Sequence, residues 1–239
     1  MENARLRRLD FPFPYRKERR YVWGDTHLLE VLLTLKKDSY FTHYTAVRIH
    51  GLTEQVPKTI YLNHEQGPHN PDRESLTQSS IDLAFRSKPR VSQNIVDFDD
   101  KRVCLLNGMY TNQLGVINQE ATYDTSEKAR VRVTNIERTL IDITVRPVYA
   151  GGVQEVLKAY ELAKETGVSV NRLAATLQQL GYVYPYHQAI GFYLERAGYK
   201  KSDLSLLERF PMKFDFFLTH QMKERDYVKR WHLHVPKSF

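Results

Sequence analysis

The chain has 239 residues, 41% hydrophobic and 26% charged, with one cysteine. That is enough apolar mass for one large domain or a domain plus a small appendage. The single Cys104 excludes an internal disulfide and every cysteine-rich zinc site. The longest apolar run, "LLEVLLTL" (28–35), is short and broken by Glu30, so no membrane-spanning helix is expected.

The N-terminus is basic but runs into "LDFPFP", which is no signal-peptide core, and a cytoplasmic location is expected. The formal charge of +7 sits at the two ends. Residues 1–20 hold seven Arg and Lys against three acids, and residues 221–239 hold five against two. Residues 1–24 therefore read as a basic arm whose prolines, Pro12 and Pro14, disfavour regular structure. A basic arm suits a polyanion such as nucleic acid, or simply keeps the protein soluble. Arg5, Arg7, Arg8, Arg16, Lys17, Arg19 and Arg20 are the candidate phosphate contacts.

Asp25 or Thr26 can cap a helix through Leu28–Leu35, and Thr42 a second one ended by Gly51. "TIYLNHEQ" (59–66) reads as a strand, so 25–66 form a small helical and strand segment. "GPHNPDRE" (67–74) is the best internal boundary, with an α/β domain over 67–239. "SLTQSSIDLAFRSKP" suggests a helix stopped by Pro89. "RVSQNIVDF", "RVCLLNG", "QLGVINQE" and "ARVRV" are strand-like, with turns at "DD", "NG" and "YDTSEK".

From Thr134 helices take over. Val153, Val156, Leu157, Tyr160 and Ala163 share one face. Ser169 and Gly181 bracket the next helix, and Pro185 and Gly198 the one after. Ser202 can cap a further helix, and "KFDFFLT" (213–219) alternates as a strand. The expected class is α+β: a central, mostly antiparallel sheet packed by a helical cluster, with no complete winged helix evident near the start.

The segment "VTNIERTLIDITVRPVYAGG" (133–152) has a capping box at Thr134 and Glu137 and a stop before Pro147. Its polar stripe is Asn135, Arg138, Thr139, Asp142 and Arg146. An exposed Arg138–Asp142 pair would contribute only about 0.3 kcal/mol. This segment resembles the signature of the AbiEi family, antitoxins of abortive-infection, type IV toxin–antitoxin systems. "SYFTHYTAVRIHGLTEQVPKTIYLNHEQ" (39–66) is similar too, through Ser39, His43, Tyr44, Ala46 and His50-Gly51-Leu52. The likeness continues through "GGVQEVLKAY" and "VSVNRLAATLQQLGYVYPYHQAIGFYLERAG", covering most of 39–200.

The resemblance implies a bacterial cytoplasmic protein that counteracts a nucleotidyltransferase-like toxin without needing a tight complex. It also implies repression of the operon through an N-terminal winged helix-turn-helix and an antitoxin domain with basic patches. Arg132, Arg138 and Arg146 are the candidates for that antitoxin surface. No complete winged helix precedes Ser39. Either the chain is short or truncated, or helices within 26–50 and the strand at 59–64 form a reduced version.

Two other classes compete. Asp97, Asp99 and Asp100 in "DFDDK" could serve a metal-dependent nuclease, although Asp favours turns between strands. A plain DNA-binding regulator without a toxin partner is the other. The pair 169–180 and 185–197 has helix-turn-helix spacing, but its second helix is poor in positive charge and reads as packing. His43 and His50 are about 10 Å apart along a helix, too far to share an ion. No metal site, cofactor or catalytic residue is expected.

Overall fold

The computed structural model describes residues 5–68, 76–124, 127–237 and 239. The chain is α+β and divides into two units, residues 1–69 with 92–135, and residues 70–91 with 136–239. The boundary loop expected at 67–74 lies, from residue 69 on, outside the described residues.

In the first unit, strands β1 (Leu6–Pro12) and β2 (Lys17–Trp23) pair as an antiparallel hairpin. The irregular arm expected over 1–24 is thus corrected. Pro12 ends β1 and Pro14 lies in the turn, where neither costs a ladder hydrogen bond. Helix α1 (Leu28–Leu33) is capped by His27, whose Nδ1 accepts from the Leu29 amide at 3.2 Å, rather than by Asp25 or Thr26. Strand β3 (Tyr40–Phe41) leads through the cap residue Thr42 into α2 (His43–Ile49). Gly51, at φ +68°, ends that helix as expected. Strand β4 (Thr59–Glu65) follows, and α3 (Gln78–Arg86), in the second unit, opens with a capping box at Thr77 and Ser80.

Strands β5 (Ile95–Phe98), β6 (Lys101–Gly108), β7 (Val116–Ala121) and β8 (Ala129–Thr134) complete a six-stranded sheet in the order β5-β6-β4-β3-β8-β7. Three of its five pairings are antiparallel; β4–β6 and β3–β8 are parallel. Phe41, Ile60, Leu62, Val103, Leu105, Val131 and Val133 form its core with Leu29 and Leu32 of α1 and Phe11 and Val22 of the hairpin. The "DD" turn stands where expected, with Asp99 at φ +51°. The "NG" turn does not, because Asn107 and Gly108 belong to β6. Gly108 is needed for close approach instead: a Cβ there would meet Asn63 Oδ1 at 2.7 Å.

The second unit holds α4 (Ile136–Val145), α5 (Val153–Glu165), α6 (Val170–Leu180), α7 (Tyr186–Arg196) and α8 (Lys201–Glu208). Ser169 caps α6 and Gly181, left-handed at φ +59°, ends it, as read from sequence. The residue before α8 is Lys200, so Ser202 lies inside its first turn and not at its cap. The strand expected over 213–219 shrinks to β9 (Phe216–Phe217), both residues buried. It pairs in parallel with β11 (Leu233–Pro236), which pairs antiparallel with β10 (Arg225–Val228).

Within this unit α4 packs against α5, α6 and α7. The middle of its polar stripe is dry: Arg138, Thr139 and Asp142 are buried, while Asn135 and Arg146 at the two ends are half-buried. Glu137 Oε1 accepts from the Ser169 amide at 3.2 Å and from Arg172 Nε at 2.9 Å, which ties α4 to the start of α6. The Tyr160 and Tyr193 rings stack at 5.2 Å, and burial raises both phenols well above the usual range.

Candidate nucleic-acid interface

The hairpin sorts its side chains by the period of two that every strand imposes. Arg7↔Val22, Leu9↔Arg20 and Phe11↔Glu18 form the inner rungs. Phe11 is fully buried and stacks on Phe98 at 4.6 Å. Leu6↔Trp23, Arg8↔Tyr21, Asp10↔Arg19 and Pro12↔Lys17 form the outer rungs. The inner face therefore anchors the hairpin to its unit, and the outer face is left to solvent.

The seven candidate cations divide accordingly. Arg8, Lys17 and Arg19 stand on the outer face and are exposed, and Arg5 precedes β1, also exposed. Arg7 donates from Nη2 to the Gly24 carbonyl at 3.0 Å and lies 3.8 Å from Asp25. Arg20 donates to the Thr34 side chain at 2.9 Å and to its carbonyl at 2.8 Å, so it is a tether between β2 and the end of α1. Arg16 lies in the turn, 3.3 Å from Glu18.

Glu18 is the acid that makes this cationic ladder tolerable. Its carboxylate is buried, with Lys36 at 3.0 Å, Arg16 at 3.3 Å and Arg20 at 3.4 Å. Burial pushes its carboxyl up, but the Lys36 hydrogen bond and the charges of Lys36, Arg16 and Arg20 outweigh it and hold the group below its ordinary value. On the outer face Asp10 plays the same part, taking Arg19 Nε at 2.8 Å and Arg8 Nε at 2.9 Å. The Arg19 hydrogen bond is the chief reason its carboxyl lies below the ordinary range.

Sequence reasoning on the arm missed its aromatic residues. Tyr15 is 77% exposed, Trp23 68%, Leu6 62% and Tyr21 60%. Among the described residues these are four of the five most exposed large hydrophobics, the fifth being Leu83 of α3. The alternation of Leu9 and Phe11 with Arg8 and Asp10, mirrored by Val22 between Tyr21 and Trp23, was the available signal.

The candidates for the antitoxin surface each belong to one unit, Arg132 to the first and Arg138 and Arg146 to the second. Arg132 on β8 donates to the Ser39 carbonyl at 3.3 Å and to the Gln113 side chain, which makes it a brace across its own unit. Arg138 is buried with Nε 2.7 Å from Asp142 Oδ1, so its guanidinium lies in the interior and not on an accessible surface. Arg146, after α4, is half-buried. Helix α7 is buried on all sides from Tyr186 to Leu194, a location from which no helix can enter a DNA groove.

The three aspartates of "DFDDK" do not converge. Asp97 pairs in register with Arg102, Asp99 forms the turn, and Asp100 lies 3.6 Å from Lys101 Nζ. Lys101 also holds Asp124 at 2.6 Å, and this hydrogen bond keeps its ammonium above the ordinary range. Asp99 and Asp100 line a 480 Å³ cavity with Asp25, Asp124, Lys101 and Arg7. Among the described residues no group of three or more His, Cys, Asp or Glu side chains is placed to hold a metal ion. No described helix is long and apolar enough to cross a membrane.

The elements define a protein of the α+β class. No protein-family model matches the chain, and no curated protein does. Among solved structures it is similar to the crystal structure of the RV2827C protein from Mycobacterium tuberculosis, with a TM-score of 0.54 and 14% identity. The match covers 87% of this chain and 66% of that one, so the chain spans just under two thirds of that protein's length. At this identity the likeness is one of fold.

Proposed function

We propose that the chain is a regulatory antitoxin of the AbiEi kind, which binds nucleic acid and counteracts a nucleotidyltransferase-like toxin. The observation that carries the nucleic-acid half is the outer face of the β1–β2 hairpin, where Arg8, Lys17 and Arg19 are exposed side by side. A β-ribbon with outward cations suits a phosphate backbone, and backbone contacts supply most of the affinity for DNA. The antitoxin half rests on the sequence resemblance over 39–200. It places the functional partner in the cytoplasm, needs no cofactor, and works by binding rather than by catalysis.

The test has two arms. Duplex DNA from upstream of the chain's own coding sequence is titrated at about 50 and 200 mM salt. Three to four phosphate contacts predict a loss of about 40- to 150-fold in affinity over that range. Flat or absent binding removes the operator role. The adjacent gene is then expressed with and without this chain. Growth arrest relieved by co-expression supports the antitoxin role; a harmless neighbour, with operator binding intact, leaves a plain regulator.

A further inference from the structure

Two rings on β2 stand free of the core. Tyr21 and Trp23 point outward from alternate positions, with Val22 turned inward between them. Residues two apart on a strand are about 6.8 Å apart along it. That is twice the roughly 3.4 Å rise per nucleotide of one DNA strand. Two π-faces at this spacing can take alternate bases of a stacked strand.

Cations flank the rings on the same face. Arg8 lies directly across from Tyr21, Arg19 follows on the turn side of Tyr21, and Lys17 comes after it. The one acid among these outer rungs is Asp10. The face thus joins stacking rings to a positive track along the hairpin, the two parts of a single-strand platform. A duplex offers its phosphates to the track but keeps its base faces inside its own stack. The rings therefore give no gain to a duplex and a gain to a single strand.

We infer that this outer face binds a single-stranded nucleic acid, with bases stacked on Tyr21 and Trp23 and phosphates against Arg8, Arg19 and Lys17. This rests on the nucleic-acid reading above and specifies its ligand.

The chain supplies its own probe. It has two tryptophans. Trp231 is fully buried, whereas Trp23 is 68% exposed, so a change in indole fluorescence on binding reports Trp23. The full chain is titrated with an oligothymidylate of about 12 nucleotides, within the footprint of such platforms. The matched duplex is titrated beside it. The single strand should quench the fluorescence and bind more tightly than the duplex. Trp23→Ala and Tyr21→Ala, followed by anisotropy of a labelled strand, should each weaken single-strand binding about 5- to 150-fold and leave duplex binding unchanged. Trp23→Phe should retain most of the affinity. Both sites are exposed, and unchanged thermal unfolding of the variants confirms that the fold survives.

If the ring variants bind both ligands as the parent does, while Arg8→Gln with Arg19→Gln weakens both, the basic-surface reading stands and the stacking inference is overturned. If neither ligand binds at any salt, both fail. Two further results overturn the inference: self-association of the parent that Trp23→Ala abolishes, or fluorescence that responds to anionic phosphatidylserine vesicles and not to the strand.

Discussion

Arg138 Nε lies 2.7 Å from Asp142 Oδ1, one turn apart on α4, with both side chains in the interior. The same spacing on a wet surface would be a weak pair; buried, each charge depends on its partner. Arg138→Ala should cost about 3–5 kcal/mol by leaving a buried carboxylate short of its donor. Arg138→Met combined with Asp142→Leu should recover most of that. Urea midpoints decide: single variants as stable as the parent would place the pair in water after all.

Gly191 on α7 sits beneath the Trp231 indole. A Cβ at Gly191 would come within 2.2 Å of Trp231 Cζ3. The indole has no room to retreat, being fully buried with Nε1 donating to Glu195 Oε2 at 2.6 Å. Gly191→Ala should therefore destabilise by about 3 kcal/mol, at the upper end of overpacking costs. Thermal unfolding measures the loss, and an unshifted transition would show that the helix and ring can slide apart.

Burial lowers the His187 imidazole to about 4, opposed by its hydrogen bond to the Pro211 backbone. The unfolded chain titrates near 6.5, so between these values it binds a proton that the folded chain refuses. His187 thus favours folding fully above about pH 6.5, and that advantage is lost as pH falls toward 4. The loss amounts to up to about 3 kcal/mol. Stability of His187→Gln, followed across pH 7 to 4, should fall less steeply than that of the parent. Parallel curves would mean that His187 takes up its proton as readily in the folded state as in the unfolded chain.

Asp10 holds the guanidinium groups of Arg8 and Arg19 together on the outer face of the hairpin. Asp10→Asn removes the acid that competes with phosphate for them. Affinity for a polyanion should rise severalfold, and the slope of log affinity against log salt should steepen. Weaker binding would instead show that Asp10 pre-orients the two arginines.

Elements whose ends are set locally could be read in advance. Ser169 and Gly181 bracket α6 by a cap and a left-handed residue, and both act within one turn. Among the strands between residues 95 and 134, β8 alternates Ala129, Val131 and Val133 with Arg130 and Arg132, and β6 carries the continuous apolar run from Val103 to Leu106. Features set by distant neighbours could not be read. Gly108 is a glycine because Asn63 of β4 crowds it, and not because the chain turns there. The burial of Arg138 depends on helices that follow it by dozens of residues. Strand β10 is polar and is defined by its pairing with β11, while β11 alternates the buried Leu233 and Val235 over only four residues, too short a run to stand out without its pairing to β9. At the candidate site, counting charge pointed only to residues 1–20 as a basic stretch. The hairpin then separated Arg8, Lys17 and Arg19 from Arg7 and Arg20, and added Tyr21 and Trp23.

The side-chain amide of Gln78, at the start of α3, grips Asp215 twice: Nε2 donates to its carbonyl and Oε1 accepts from its amide, both at 2.9 Å. The two residues are separated by 137 positions in the chain. At a synthesis rate of about 5–20 residues per second, Gln78 leaves the ribosome roughly 7–30 s before Asp215 does. Through that interval Phe85, on the same helix, waits without Phe216 and Phe217, the rings it will pack against. The nascent protein thus carries the apolar face of α3 without its partners until the C-terminal strands are made, which leaves that helix open to chaperone capture or misassociation before the chain is finished.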